Sequence, residues 1–333
     1  MSRAAHLALV IFIVAGCRSQ PQEQPGAPPP AAPAAPANVS HGEAAVGTKQ
    51  TASFDPVPPP RSQTRFHRLR LEIQHARVSI AAGSSYDAWT FGGHVPGPII
   101  RVTVGDTVDL TLVNRAPIPH SIDFHAAEIA PSRAYVNVLP NDSLHFQWVA
   151  HVPGVFLYHC GTAPVAMHIA NGMYGALIVD PEHPRPAARE FVFVQSEFYT
   201  KSGAAPDSAL SIDWSKLLGL VPEYVVFNGR AAQYAESPLR VWVGEPLRFY
   251  VVDAGPNRVS SFHTVGAIFS RVYEDGSDHP LEGVQTANVP VGGGVIFETR
   301  LAEPGTYPFV THAFADATKG AVGMLEAVKH DGK

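Results

Sequence analysis

The chain has 333 residues, a formal net charge of -5, and 45% hydrophobic against 16% charged residues. That length accommodates two domains of ordinary size, and the balance is that of a soluble globular protein. No basic block is present, so nucleic acid is excluded as a partner on charge grounds.

At the N-terminus, Arg3 precedes an apolar run from Leu7 to Ala15. The run falls short of the roughly 20 residues needed to span a bilayer and reads as an export signal. It ends in Val14-Ala15-Gly16-Cys17, which resembles the lipobox of bacterial lipoproteins, with Cys17 the residue that takes the lipid. Residues 1–17 are therefore expected to be a lipoprotein signal. The protein is expected in the bacterial cell envelope, periplasmic or at the outer membrane, touching membrane only through that lipid. Residues 18–61, rich in Pro and Ala, lack apolar periodicity and are expected to form a disordered tether. With Cys17 lipidated, Cys160 is a lone thiol in an exported protein. It has no disulfide partner, and a metal is the leading explanation.

From residue 62 onward the sequence breaks into strand-length, β-branched runs separated by Gly, Pro and Asn, which predicts an all-β sandwich architecture. The run IIRVTVGDTVDLTLVN at 99–114 lies without a gap on PLRVWVGEPLRFYVVD at 238–253, and VPGVFLYHC at 152–160 lies on EPGTYPFVT at 303–311. Two tandem copies of one Greek-key sandwich follow. The first is expected over 62–182, a connection containing a short helix in SIDWSKLLGL over 183–225, and the second over 226–333. The copies differ chemically: Thr311 stands where Cys160 does, and Ala321 where Met173 does.

The first copy concentrates metal-ligating residue types in PHSIDFH, YHC and CGTAPVAMHIANGM. Two imidazoles, a thiolate and a weak axial thioether form the site preferred by electron-transfer copper. Cys160, His168 and Met173, spaced C-x7-H-x4-M, supply three of these ligands, and His120 on another strand supplies the fourth. Neighbours on a strand point to opposite faces, so a Cys160 turned inward sends His159 outward. The odd interval from His120 to His125 does the same for His125 if PHSIDFH is extended. His312, at the end of the strand that matches YHC, is a candidate third ligand for His125 and His159, from the same chain or from a neighbour. The other histidines, among them His67, His75, His94 and His145, are read as solvated or structural.

Over about 85–327 the motifs WTFGGHVPG, PHSIDFHAA, YHCGTAPVAMHIANGMYG, YVVFNG, GPNRVSSFHTVG and FVTHAF resemble the copper-containing nitrite reductases. With the short C-x7-H loop and the tether, they look most like the lipid-anchored, outer-envelope branch of that family. The resemblance implies two cupredoxin-like domains, two coppers per chain, and one-electron reduction of nitrite to nitric oxide. It makes His120, Cys160, His168 and Met173 type 1 copper ligands, and His125, His159 and His312 type 2 copper ligands. His312 then comes from a neighbouring subunit of a homotrimer. Asp123 and His263 are implied as the proton relay, with Val265 as an aliphatic wall over bound nitrite. The expected electron donor is a small cupredoxin or c-type cytochrome. One segment departs from the family: EIAPSRAYVNV at 128–138 replaces a Gly-rich loop and bears on access to the second metal.

Two other functions fit parts of the pattern. A two-domain, laccase-like multicopper oxidase shares the fold, but its three-copper cluster needs His-x-His pairs, and none occurs here. A non-catalytic envelope copper shuttle needs only the first ligand set and leaves Asp123, His125, His263 and His312 without a purpose.

Overall fold

A computed structural model of the chain describes residues 54–203 and 208–329, all within one compact unit, Ala44–Lys333. The signal, Cys17 and most of the tether lie outside the described residues. Among the described residues, no helix is long and apolar enough to cross a membrane.

The longest strand, Phe66–Ala81, shows how one run serves two cores. Leu71 and Ile73 face the interior of the first sandwich, while Val78 and Ile80 turn to the opposite side, where a second layer covers them. This strand runs parallel to Thr107–Asn114 and antiparallel to Ser84–Phe91, and Ser143–Val149 completes the four-stranded sheet. The facing sheet holds Ile100–Thr103, Tyr174–Asp180, Gly154–His159 and the two-residue Asp123–Phe124, in that order.

The second sandwich repeats the plan with two five-stranded sheets. The parallel pairing of Leu239–Trp242 with Val322–Val328 mirrors that of Ile100–Thr103 with Tyr174–Asp180, as the gapless alignment requires. Thr311 and Ala321 are fully buried where the first copy has Cys160 and Met173. Phenylalanines fill the surrounding core, with Phe309 stacked on Phe193 at 4.5 Å between ring centroids.

Two expectations about boundaries change. The connection expected over 183–225 contains Arg189–Phe198, a central strand of the second sandwich, paired in parallel with Leu247–Gly255. Its run EFVFVQSEF does not alternate because both faces are covered: Phe191 and Phe193 enter the second core, and Val192 and Val194 enter the layer between the sandwiches. The short helix in this region is Trp214–Leu218, capped by Asp213, whose carboxylate accepts from the Lys216 N–H at 3.0 Å. The tether expected to end at 61 is docked from Phe54 onward. Pro56 and Pro58 are buried, Pro56 O accepts from Val192 N–H at 2.7 Å, and Phe54 O accepts from the Tyr234 hydroxyl at 3.0 Å. Prolines donate nothing to a ladder, yet their rings still bury apolar area.

The sandwiches meet through a shared apolar layer in which Val155 and Leu157 pack with Val192, Val252 and Ile296. Arg101, only 9% exposed, pins the seam by donating to Asp180 and Glu190 at 2.7 Å, and Arg248 donates to the same Glu190 at 2.8 Å. At Gly294 the two backbones approach so closely that a methyl group would collide with the Val155 carbonyl. Gly294→Ala is therefore expected to destabilise the fold by about 1–3 kcal/mol. A lower thermal midpoint with unchanged secondary structure checks this, and an unchanged midpoint refutes the tight seam.

Candidate metal centres

The strand Gly154–His159 is held on one side by Tyr174–Asp180 and on the other by Asp123–Phe124, with Asp123 opposite His159. Its last residue and the next, Cys160, send their side chains into different surroundings, and each becomes part of a separate cluster.

The first cluster is fully enclosed. Cys160 Sγ lies 3.2 Å from His168 Nδ1 and 3.8 Å from His120 Nδ1, and the two Nδ1 atoms are 3.1 Å apart. His120 sits at the start of PHSIDFH, where its backbone bridges to Val138, and His168 sits on the turn Val165–Ala170. Burial is the main cause that lowers His120 to a pKa of about 2, with His168 and His75 adding to the shift; burial and then His75 lower His168 to about 4. Both imidazoles are thus neutral, and lone pairs converge with a thiol in a space shielded from water. That donor set fits a soft transition metal. The Ser121 N–H donates to Cys160 Sγ at 3.3 Å, and the Ser121 hydroxyl accepts from Gly161 N–H at 3.0 Å. Met173 is fully buried, and its carbonyl accepts from Cys160 N–H at 3.1 Å.

The second cluster is half-open. His159 Nδ1 is 2.9 Å from Cys160 O, and His125 Nδ1 is 2.9 Å from Gly292 O. A carbonyl only accepts, so each Nδ1 carries the proton and each Nε2 presents a lone pair. These Nε2 atoms face each other at 3.0 Å. Two facing lone pairs repel unless a cation lies between them, and this is the strongest structural argument for a metal here. Asp123 Oδ2 is 3.9 Å from His159 Nε2, its side chain 42% exposed. Burial is the first cause that lowers the pKa of His159, and the neighbouring His125 acts in the same direction.

The remaining candidates lie on the second sandwich. His263 and His312 form an edge-to-face pair at 5.4 Å, and Phe314 packs on His312 at 4.6 Å. His312 lines an open depression with Ser261, Gln285, Thr286 and Ala313, and Val265 stands 43% exposed nearby in sequence. His263 Nδ1 is 2.6 Å from Gln285 O. Among the described residues, no hydrogen bond or ring contact joins this pair to His125 or His159 within one chain.

Sequence reasoning missed several neighbours. His75, read as solvated or structural, stacks on Trp89 at 5.4 Å and meets His120 edge-on at 5.8 Å. Trp89 also contacts His168 at 4.8 Å. Gly292, which aims His125, acts through its carbonyl, a group no residue type advertises; its φ of +83° lies in the left-handed region that glycine favours. His67 and His145 match the structural reading, paired with Asp106 and Asp109 at 2.8 and 2.7 Å.

A family profile described as multicopper oxidase matches residues 72–184. The chain is 38% identical to a copper-containing nitrite reductase of Neisseria gonorrhoeae over 344 residues, covering 98% of this chain and 88% of that protein. It is 41% identical to a copper-containing nitrite reductase of Neisseria meningitidis serogroup B, covering 78% and 68%. Among solved structures, the copper nitrite reductase of Nitrosomonas europaea superposes with a TM-score of 0.73 at 35% identity, covering 79% and 94%.

The two neutral histidines of the enclosed cluster predict an acid sensitivity of the metal-free protein. Unfolded histidine titrates near a pKa of about 6.5, above both folded values, so the unfolded chain binds the extra protons. The stability is present above that pH and is lost as pH falls toward about 4 at His168 and about 2 at His120. Each histidine contributes about 1.4 kcal/mol per pH unit within its window. Urea midpoints of chelator-treated protein at pH 7 and pH 5 check it, and equal midpoints contradict it.

Proposed function

We propose a division of labour for a chain that belongs to the copper-containing nitrite reductases. The Cys160 cluster receives an electron, and the His125–His159 cluster binds nitrite and forms nitric oxide. The carrying observation is that two clusters with metal-ready lone pairs are joined by the His159–Cys160 peptide bond. When bound, copper supplies a one-electron couple at the first cluster and a Lewis-acidic seat for nitrite at the second.

The chain's own residues carry the rest. His120, Cys160, His168 and Met173 would make up the type 1 set. His125 and His159 make up two-thirds of the type 2 set. His312 completes it from a neighbouring copy, a reading supported by its exposure on the second sandwich, apart from the histidine pair of its own chain. That arrangement calls for a homotrimer with sites at its interfaces.

Nitrite takes up one electron and two protons and leaves as nitric oxide and water. Asp123, 3.9 Å from His159 Nε2 and open to solvent, holds one proton-transfer position. His263, which sits beside His312 and so comes with it from the neighbouring copy, holds the other, with Nδ1 engaged by Gln285 O and Nε2 left for proton transfer. Val265 presents an aliphatic surface suited to covering bound nitrite. A small cupredoxin or c-type cytochrome is the proposed electron donor, and the lipobox at Cys17 supports anchoring in the envelope, periplasmic or at the outer membrane.

The multicopper oxidase reading draws on the profile match, which covers the first sandwich alone. The absence of any His-x-His pair from the sequence argues against a three-copper cluster. Anaerobic turnover with a reduced dye, comparing nitrite with oxygen as acceptor, decides between them. Wild-type protein is expected to bind two coppers per chain and release nitric oxide. His125→Ala is expected to lose nitric oxide formation while the blue absorption persists. Oxygen consumption without nitric oxide would reassign the protein to the oxidases.

A further inference from the structure

His125 is aimed by a loop that has little of its own to hold it. Residues 292–294 are three consecutive glycines, and Pro290 and Val291 before them are exposed. Neither side-chain packing nor an intrinsic backbone preference therefore fixes the Gly292 carbonyl, which accepts from His125 Nδ1 at 2.9 Å. Backbone bonds supply part of the restraint: Gly292 N–H donates to Asp253 O at 2.8 Å, and Gly293 O accepts from Asp253 N–H at 3.1 Å. Apart from His125, the one side chain among the described residues that hydrogen-bonds to 290–294 is that of Asp275.

Asp275 does this by standing in for a ladder carbonyl. It follows the strand Arg271–Glu274, whose last residue pairs with Val295, so Asp275 comes opposite Gly294. Opposed residues of an antiparallel pair can exchange both backbone bonds. Here only one forms, from Asp275 N–H to Gly294 O at 2.7 Å. A φ of +45° turns the chain at Asp275, and its carbonyl lies instead on Gly154, where any side chain would collide with it. The second bond goes to the carboxylate: Gly294 N–H donates to Asp275 Oδ1 at 3.0 Å. Gly154 opens the strand that ends in His159, and Gly276, next in the turn, lies against Val152. One residue thus rests its main chain on the strand that carries His159 and holds with its side chain the loop that aims His125.

We propose that Asp275 is a positioning residue for the second metal centre: its carboxylate anchors the glycine run at Gly294, and so fixes the Gly292 carbonyl and the direction of the His125 Nε2 lone pair. This rests on the reading of the His125–His159 pair as a copper seat. What the position needs is an accepting oxygen on a residue that adopts a positive φ, a combination that Asp and Asn provide.

The test compares copper-loaded wild type with Asp275→Gly and Asp275→Asn. Glycine accepts the positive φ while deleting the acceptor, so backbone strain does not enter, and asparagine keeps the oxygen without the charge. Affinity for the second copper is read by chelator competition, and its electron paramagnetic resonance signal is recorded on the oxidised protein, beside the blue absorption and the thermal midpoint. Asp275→Gly is expected to weaken the second copper by about tenfold, as loss of an outer partner of a ligating histidine does. Its type 2 hyperfine splitting should change while the blue absorption does not, and Asp275→Asn should restore both the affinity and the signal. Wild-type affinity and signal in Asp275→Gly, whatever the thermal midpoint does, overturn the proposal. A loss in Asp275→Asn as large as that in Asp275→Gly overturns it too, because charge and not an accepting oxygen would then be acting. These readouts need no nitrite, so wild type that holds two coppers but releases no nitric oxide sinks the activity and leaves the Asp275 comparison to decide. Wild type that holds one copper per chain overturns the copper seat and the proposal together.

Discussion

In an extended backbone, successive side chains leave on opposite sides, and no packing choice alters that. His159 and Cys160 turn this constraint into an arrangement. The thiol enters a dry interior beside two neutral imidazoles, while its neighbour leaves toward a half-open surface and faces His125. The strands around Gly154–His159 serve to hold that pair at the end of a sheet. The Asp123–Phe124 edge brings a carboxylate alongside the outward imidazole, and Tyr174–Asp180 follows directly on Met173.

The second sandwich contributes without a thiol of its own. Loss of the soft donors at Thr311 and Ala321 leaves a core sealed by phenylalanines. That rigid body presses a loop against the first sandwich, where the Gly292 carbonyl fixes the tautomer and aim of His125. Close backbone approach at Gly294 and the buried ions around Glu190 keep the loop in register. Packing between the sandwiches therefore acts directly on the orientation of His125.

The fold was largely legible because its signals are local. Alternating runs, the turn glycines at 105 and 244, and the gapless overlay of two segments all report the tandem plan. Arg189–Phe198 was hidden because a strand covered on both faces does not alternate, and the docked 54–61 stretch because buried prolines follow no period. In the site, the spacing around Cys160 and the parity of His159 were readable from residue types. The Gly292 carbonyl and the His75 ring beside His120 were not. Each depends on a partner brought close only by the folded chain, and a backbone oxygen has no letter in the sequence.

The hydrogen bond from His159 to the carbonyl of Cys160 joins the two clusters mechanically as well as covalently. Any substitution that shifts the cysteine peptide to suit a different metal also swings the neighbouring imidazole, and the reverse holds. Evolutionary change at either centre is thereby constrained by the other, so descendants of this scaffold should retain or discard the pair together rather than drift one centre at a time.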